Sequence, residues 1–397
     1  MTGPSAAGGP LTGILVADFS RVVAGPYATM LLGDLGADVV KVERPGAGDD
    51  TRSFGPPFVD GVSAYFLGIN RNKRGVAWDL GTEDGRRKAR LLAERADVVV
   101  ENFRPGTASR FGIGYDEISA VNERVVYCSV SGFGTSGEGA SLPGYDFLLQ
   151  GVGGLMSVTG DEGGEPRKVG VAVVDVLTAQ FAAHAILAAL YERERSGAGQ
   201  HVEVNLLSSL LSALINQAST YVTTGVVPRA MGNRHPSIAP YETLQTADRM
   251  LVVAVGNDGQ FAAFTGAIGL GWMAGDERFA RNLGRVAHRD VMTALLQAEL
   301  AHRPAAEWMV LIGAVGVPCG TVNDIAEAFG LAERLGLQPV VQMPRAGASF
   351  IGAAGEASGD SQVRNPMGFS RTPASYRTAP PALGEHTAEV EAELGLA

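Results

Sequence analysis

From Ile14 onward the chain alternates short β-branched runs with longer helical stretches, and this order constrains the fold more than any other feature. Ile14–Phe19 reads as a strand, Pro26–Leu35 as a helix with proline in its first turn, and Asp38–Val42 as a second strand. Glu83–Ala96 reads as a helix with its bases on one side, and Asp97–Val100 and Val125–Val130 as buried strands. Apolar strands separated by helices predict an α/β fold, a doubly wound and mostly parallel Rossmann-like sheet with helices on both faces.

Further along, an apolar strand over Val171–Val174 is expected to lead into a long helix, Val176–Arg195, whose Phe181, Ile186, Leu187 and Leu190 are spread widely enough to be buried on more than one side. Gly197 should stop it. A strand over His201–Asn205 and an apolar helix over Leu206–Val222 follow, and then Gly225, Pro228 and the run Gly232–Pro240 break the pattern. Met250–Val255 and Val317–Val322 read as strands around helices at Gln260–Ile268, Asp290–Ala301 and Ala305–Ile312. The expected organisation is a large domain begun by residues 1–224, a small inserted α/β domain over 225–330, and a return segment, 331–397. This last contains a loop over Gly352–Asp360 and a short terminal helix from Glu385.

Composition narrows the function. With 42 Asp+Glu against 32 Lys+Arg the net charge is −10, which argues against nucleic acid or an anionic membrane as partner. Phe181–Leu190, the most apolar stretch, is too short to span a bilayer, and Met1–Leu11 lacks the basic and apolar regions of a signal peptide and reads as a loose tail. Two cysteines, Cys128 and Cys319, form no CxxC unit and no disulfide framework. The expectation is a soluble cytoplasmic protein.

Gly132, Gly134 and Gly137 satisfy GxGxxG after a strand, yet Glu138-Gly139-Ala140-Ser141-Leu142-Pro143 follows with no helical run, so a glycine loop is favoured over an NAD site. Six scattered histidines at no ligand spacing predict no metal. Bases cluster at Lys41 and Arg44, at Arg71, Lys73 and Arg74, and at Arg104 and Arg110. In an open α/β sheet the ligand crevice lies outside the carboxyl ends of the strands, so bases there could hold phosphates, or form a solvated rim. Asp175 is the single carboxylate in Val171–Leu177. It could cap the long helix, or be a nucleophile kept ionised by the helix N-terminus.

Several segments together resemble the class III CoA-transferases, the family of formyl-CoA transferase, carnitine CoA-transferase and α-methylacyl-CoA racemase. They are Ala24-Gly25-Pro26, Gly36–Pro45, Asn72-Lys73-Arg74, Glu101–Gly106, Ser131–Gly134, Gly144-Tyr145-Asp146 and Leu383–Thr387. The resemblance spans nearly the whole chain. It implies a large domain built from both chain ends, an inserted small domain, and a homodimer of interlocked subunits. It makes Asp175 the catalytic aspartate and coenzyme A, carried as acyl-CoA, the ligand. Val23, Ala24, Arg44, Trp78, Leu80, Asn102, Phe103, Arg104, Arg110, Gly144 and Tyr145 should line the CoA site.

Two departures matter. Gly81 replaces a lysine that several relatives carry, and the four-glycine loop of formyl-CoA transferase has no counterpart, against formyl and oxalyl specificity. Gly232–Tyr241 instead resembles the stretch in relatives that move CoA between dicarboxylates such as succinate and glutarate. Arg234 or His235 could meet a distal carboxylate there, or the stretch could be an interdomain linker holding its own turns. The implied chemistry passes through an aspartyl anhydride and an aspartyl-CoA thioester between an acyl-CoA donor and a carboxylic acid acceptor. Backbone N–H groups at the Asp175 helix start and in the glycine loops would stabilise the oxyanions. A racemase would want histidine before Asp146, where Tyr145 stands. An NAD-dependent oxidoreductase and a non-catalytic CoA-binding protein are the alternatives of other classes.

Overall fold

A computed structural model of the protein describes residues 8–344 and 360–396. The expected loose tail over Met1–Leu11 and loop over Gly352–Asp360 fall mostly outside them. The described residues form two compact units, one of residues 8–155, 169–225, 338–344 and 360–396, the other of 156–168 and 226–337. The first unit is therefore built from both ends of the chain. Residues 156–168 and 331–337 belong with the second unit, outside the expected span of 225–330.

The first unit carries a six-stranded sheet of β1 (Leu15–Asp18), β2 (Asp38–Glu43), β3 (Lys73–Ala77), β4 (Val98–Glu101), β5 (Val126–Ser131) and β6 (Gln200–Asn205). All neighbours are parallel, in the order β3-β2-β1-β4-β5-β6, with Val16 opposite both Val39 and Val98. The order in which strands are added along the sheet reverses between β1 and β4, the place where α/β sheets open a ligand crevice.

Alternation along the strands splits the core into two layers. Val16, Val39, Val98, Val100, Val126 and Cys128 face α1 (Ala24–Asp34) and two later helices, α4 (Val173–Ser196) and α5 (Leu206–Ala213). Ala17, Val40, Val76, Val99 and Tyr127 face α2 (Glu83–Arg95), whose buried side is Gly85, Ala89, Leu92 and Ala93. Helices thus cover both faces, as period-2 strands buried on each side require.

Five local expectations differ. No strand forms at Val171–Val174; Val173 and Val174 open α4, because the Val174 N–H donates to the side chain of Asp146 at the head of α3 (Asp146–Val152) and the Val173 N–H to the Val171 carbonyl rather than to a neighbouring strand. α4 therefore runs 24 residues, long and apolar enough to cross a bilayer by length and composition. Its Val174, Ala179, Ala182, Ile186 and Ala189 are instead packed in the core against the sheet. The helix expected over Leu206–Val222 is two, α5 and α6 (Ile215–Thr224), because Ile215 has φ +38° and turns the chain. β3 was hidden by its charged start; Lys73 is tolerated because its ammonium reaches Asp18. The terminal helix begins not at Glu385 but at Thr387, as α11 (Thr387–Glu393), counted after the second unit's helices. His386 and Thr387 bond the backbone of Gly75 and Ala77, covering the outer edge of β3.

The second unit holds an antiparallel sheet of β7 (Tyr241–Gln245), β8 (Met250–Ala254) and β9 (Cys319–Thr321), in the order β9-β8-β7. Its core joins Leu244, Leu251 and Val253 to helices α7 (Asp258–Ala267), α8 (Arg289–Leu300) and α9 (Ala305–Ala314), and α10 (Ile325–Arg334) follows.

Candidate active site

Two clefts open along the carboxyl ends of the first unit's strands. One, of about 240 Å³, is lined by Arg21–Ala24 after β1, Asn102–Pro105 after β4, Val130–Gly132 at the end of β5, Ala140–Tyr145, and Asp175. The second, of about 300 Å³, is lined by Phe19, Arg44, Trp78, Leu80, Gly81 and Phe111 among others. Arg21 and Phe103 line both. A mainly apolar second cleft beside a more polar first one, with a few arginines at the strand ends, suits a long anionic ligand with apolar parts.

The residues expected around the ligand divide between these clefts. Val23, Ala24, Asn102, Phe103, Arg104, Gly144 and Tyr145 accompany Asp175 in the first, and Arg44, Trp78 and Leu80 line the second. Arg110 lines neither: it is exposed, and its guanidinium donates to Thr107 Oγ1 at 3.1 Å. Arg21, Ser131 and Leu206 line the first cleft and were not expected. Arg21 carried the one usable signal, a base just past the end of a strand.

Asp175 is not the helix cap. Ala172 occupies that position and Asp175 lies in the first turn. The cap comes from across the cleft wall: Asp146 Oδ1 accepts the N–H groups of Val174 at 2.7 Å and Asp175 at 3.3 Å. Gln150, fully buried, donates from Nε2 to Asp146 Oδ2 at 2.6 Å, and its Oε1 accepts the Val169 N–H at 2.8 Å. The oxyanion role expected for N–H groups at this helix start is thereby corrected, since Asp146 already occupies them. The Asp175 carboxylate itself makes no hydrogen bond among the described residues. Nor does the helix N-terminus hold its pKa down as expected: burial, joined by the Asp146 charge, pushes its carboxyl up to about 7.

The glycine loop after β5 is followed by a single 3₁₀ turn, Glu138–Ser141, with no α-helix to receive a pyrophosphate. Gly132 and Gly144 cross backbone to backbone: a Cβ on Gly132 would lie 2.6 Å from Gly144 Cα. That crossing closes the segment 133–143 into a loop, of which Gly134 and Ala140–Pro143 line the cleft.

Most of the other bases are not ligand groups. Lys41 and Lys73 are fully buried against Asp49 at 2.9 Å and Asp18 at 3.0 Å. Arg71 is held by Asp34 at 2.7 Å and Arg74 by Asp38 at 2.6 Å, with Glu389 and Glu393 beside it. Arg104 is exposed and has no ion-pair partner among the described residues. In the second unit, Arg234 lies 3.1 Å from Asp290, 3.9 Å from Glu242 and 4.0 Å from Glu162, and the His235 carbonyl accepts from Arg289. The His235 N–H donates to the Tyr241 carbonyl, so this stretch does hold its own turns.

The comparisons agree on one family. The model for CoA-transferase family III matches residues 11–387. A succinate–glutarate CoA-transferase of Agrobacterium fabrum is 41% identical over 97% of this chain and 96% of its own length. A succinyl-CoA:glutarate CoA-transferase of Mus musculus is 40% identical over 97% of this chain and 86% of its own. The crystal structure of a CAIB/BAIF family protein from Brucella suis superposes with a TM-score of 0.85 at 40% identity, covering 98% of this chain and all of that one. With a match across nearly its whole length and these relatives, the chain belongs to CoA-transferase family III and is an enzyme that transfers CoA.

Proposed function

We propose that the protein is an acyl-CoA:carboxylate CoA-transferase acting on dicarboxylates, with succinyl-CoA as donor and glutarate as one acceptor, and Asp175 as covalent nucleophile. The observation that carries this reading is an unbonded carboxylate, Asp175, in a cleft at the strand ends with Arg21 and Arg104 on its rim. The printed activities of relatives at 40–41% identity support the acid class.

The chemistry needs no group beyond the substrates. A carboxylate oxygen of Asp175 attacks the thioester carbon, the C–S bond breaks, and CoA thiolate leaves an acyl-aspartyl anhydride. The thiolate then attacks the aspartyl carbonyl, the anhydride C–O bond breaks, and the donor acid departs from an aspartyl-CoA thioester. An acceptor carboxylate attacks that thioester, giving a second anhydride and free thiolate. Thiolate attack on the acceptor's acyl carbon releases the new acyl-CoA and regenerates Asp175. Each bond exchange is nearly thermoneutral. CoA would lie along both clefts, with Arg104 free to meet its phosphates, Arg21 and Arg44 able to do so by giving up their shared pairing with Asp50, and Trp78 and Leu80 beside its adenosine end.

Exposed Phe147 and Val152 on α3 and Val222 on α6 support the further reading that two chains associate as a homodimer. The test of function is mass spectrometry of CoA exchange from succinyl-CoA to a panel of acids. Exchange to glutarate, abolished in Asp175→Asn with CoA binding retained, is expected. Undiminished turnover in that variant sinks the covalent role. Deuterium entering the α-carbon of a branched acyl-CoA without an acceptor acid would favour a racemase instead.

A further inference from the structure

Residues 20–22, on the way from β1 to α1, have no sheet ladder, yet the backbone N–H of each donates to a side chain. The Ser20 N–H donates to Asp18 Oδ1 at 3.0 Å and its carbonyl accepts from Lys41 Nζ at 2.9 Å. Arg21 and Asn102 exchange two bonds, N–H to Oδ1 at 2.9 Å and Nδ2–H to carbonyl at 2.7 Å. The Val22 N–H donates to the Asp49 carboxylate at 3.2 Å. Asp49 is itself fixed: it pairs with Lys41 at 2.9 Å, both side chains fully buried, and its own N–H is bonded to Glu43.

What this clamp holds is strained. Val22 has φ +68°, a conformation that a β-branched residue resists and that persists only where the surroundings over-determine it. A buried ion pair is by itself a poor source of stability. The segment it restrains contributes Arg21, Val22, Val23 and Ala24 to the wall of the cleft that holds Asp175.

We propose that Asp49, locked by Lys41, is a positioning residue for CoA transfer: it fixes Val22 in the left-handed conformation and thereby sets the cleft wall against which the donor thioester meets Asp175. The proposal rests on the reading that this cleft binds acyl-CoA. Attack requires the reacting atoms at about 3–3.5 Å, and a displacement of about 1 Å can reduce rate on the order of a hundred-fold.

The test compares two double variants, using succinyl-CoA and glutarate. Lys41→Met with Asp49→Leu removes both charges and leaves the Val22 N–H without an acceptor; Lys41→Met with Asp49→Asn removes the charges and keeps an acceptor oxygen. The Leu variant is expected to lose at least about ten-fold in kcat with little change in KM. It should also form the hydroxylamine-trappable Asp175 adduct more slowly, and the Asn variant should recover most of the loss. Val22→Pro, which cannot adopt a positive φ and leaves the buried pair intact, should reproduce the kcat loss even if the Leu variant fails to fold. A folded Leu or Pro variant with wild-type kcat overturns the proposal, as does an Asn variant as impaired as the Leu one. Absence of any Asp175 adduct in the wild type would overturn the reading of the cleft instead.

Discussion

Asp146 Oδ1 accepts the backbone N–H of Asp175 at 3.3 Å, so the carboxylate that starts the Asp175 helix also adds to the electrostatics of its side chain. The Asp175 carboxyl is raised to about 7, first by burial and then by the Asp146 charge. Tyr65 is raised as well, by burial and by both aspartates, and so remains a neutral hydroxyl at neutral pH. In the proposed mechanism it is the ionised form of Asp175 that attacks. The rate of the first half-reaction should therefore fall about ten-fold per pH unit below 7 and level off above it, measured as adduct formation between pH 5.5 and 8.5. A flat profile across that range contradicts the assignment.

The same displacement has a stability consequence of the opposite sense. A carboxyl whose folded pKa lies above its unfolded value of 3.8 binds more protons in the folded state, so stability declines as pH rises from about 4 through 7. Asp175→Asn removes that loss. The variant should melt higher than wild type at pH 8, by roughly 1–3 °C, with the gap closing at pH 4. Equal melting temperatures at both pH values would show that Asp175 carries no such burden.

Replacing Asp146 separates its two roles. Asp146→Asn keeps an acceptor for the Val174 and Asp175 N–H groups but deletes the charge. The acid limb of the profile should then move to lower pH while staying above the range of a free carboxylate, since burial is the larger cause. Asp146→Ala deletes the cap too and should cost about 1 kcal/mol of stability in urea denaturation. An Asn variant whose acid limb does not move refutes the electrostatic coupling.

These two aspartates also show what the sequence could carry. Periodicity exposed most sheet strands and the long helix, because hydrophobic alternation records burial directly. β3 escaped because Lys73 reads as surface charge until Asp18, far away in sequence, is seen to receive it. Asp175 stood out as the single carboxylate in an apolar run, and Gly144-Tyr145-Asp146 as a motif, but no local pattern tells that one caps the helix of the other. The basic clusters misled in the same way, since spacing records where a charge sits along the chain and not which acid faces it. Arg104, exposed at a strand end, was legible; Lys41, buried on Asp49, was not.

The Gly132–Gly144 crossing leaves no room for a side chain. Because a methyl at position 132 would press on the Gly144 backbone, which cannot rotate away as a side chain could, Gly132→Ala must move the segment 133–143. That segment carries Ala140, Leu142 and Pro143 of the cleft. The expected result is a loss in kcat/KM for acyl-CoA of about a hundred-fold or more, with circular dichroism of the helices preserved. Wild-type kinetics in the folded variant would show that the loop does not shape the site.

Two bases from neighbouring motifs should behave oppositely. Lys73 is fully buried, and burial pushes its ammonium down to about 8 although Asp18 works to keep it charged. Lys73→Met leaves Asp18 as a buried charge with Lys41 as its remaining cationic neighbour, so a stability loss of about 3–5 kcal/mol is expected. The protein that stays folded should bind CoA normally by calorimetry. Arg104 lines the cleft and pairs with no acid among the described residues, so Arg104→Ala should leave the melting temperature within about a degree of wild type and weaken CoA binding roughly ten-fold, most strongly at low salt. Reversed outcomes, with Arg104 governing stability and Lys73 governing affinity, would mean that the phosphates bind at the buried pair rather than at the mouth of the cleft.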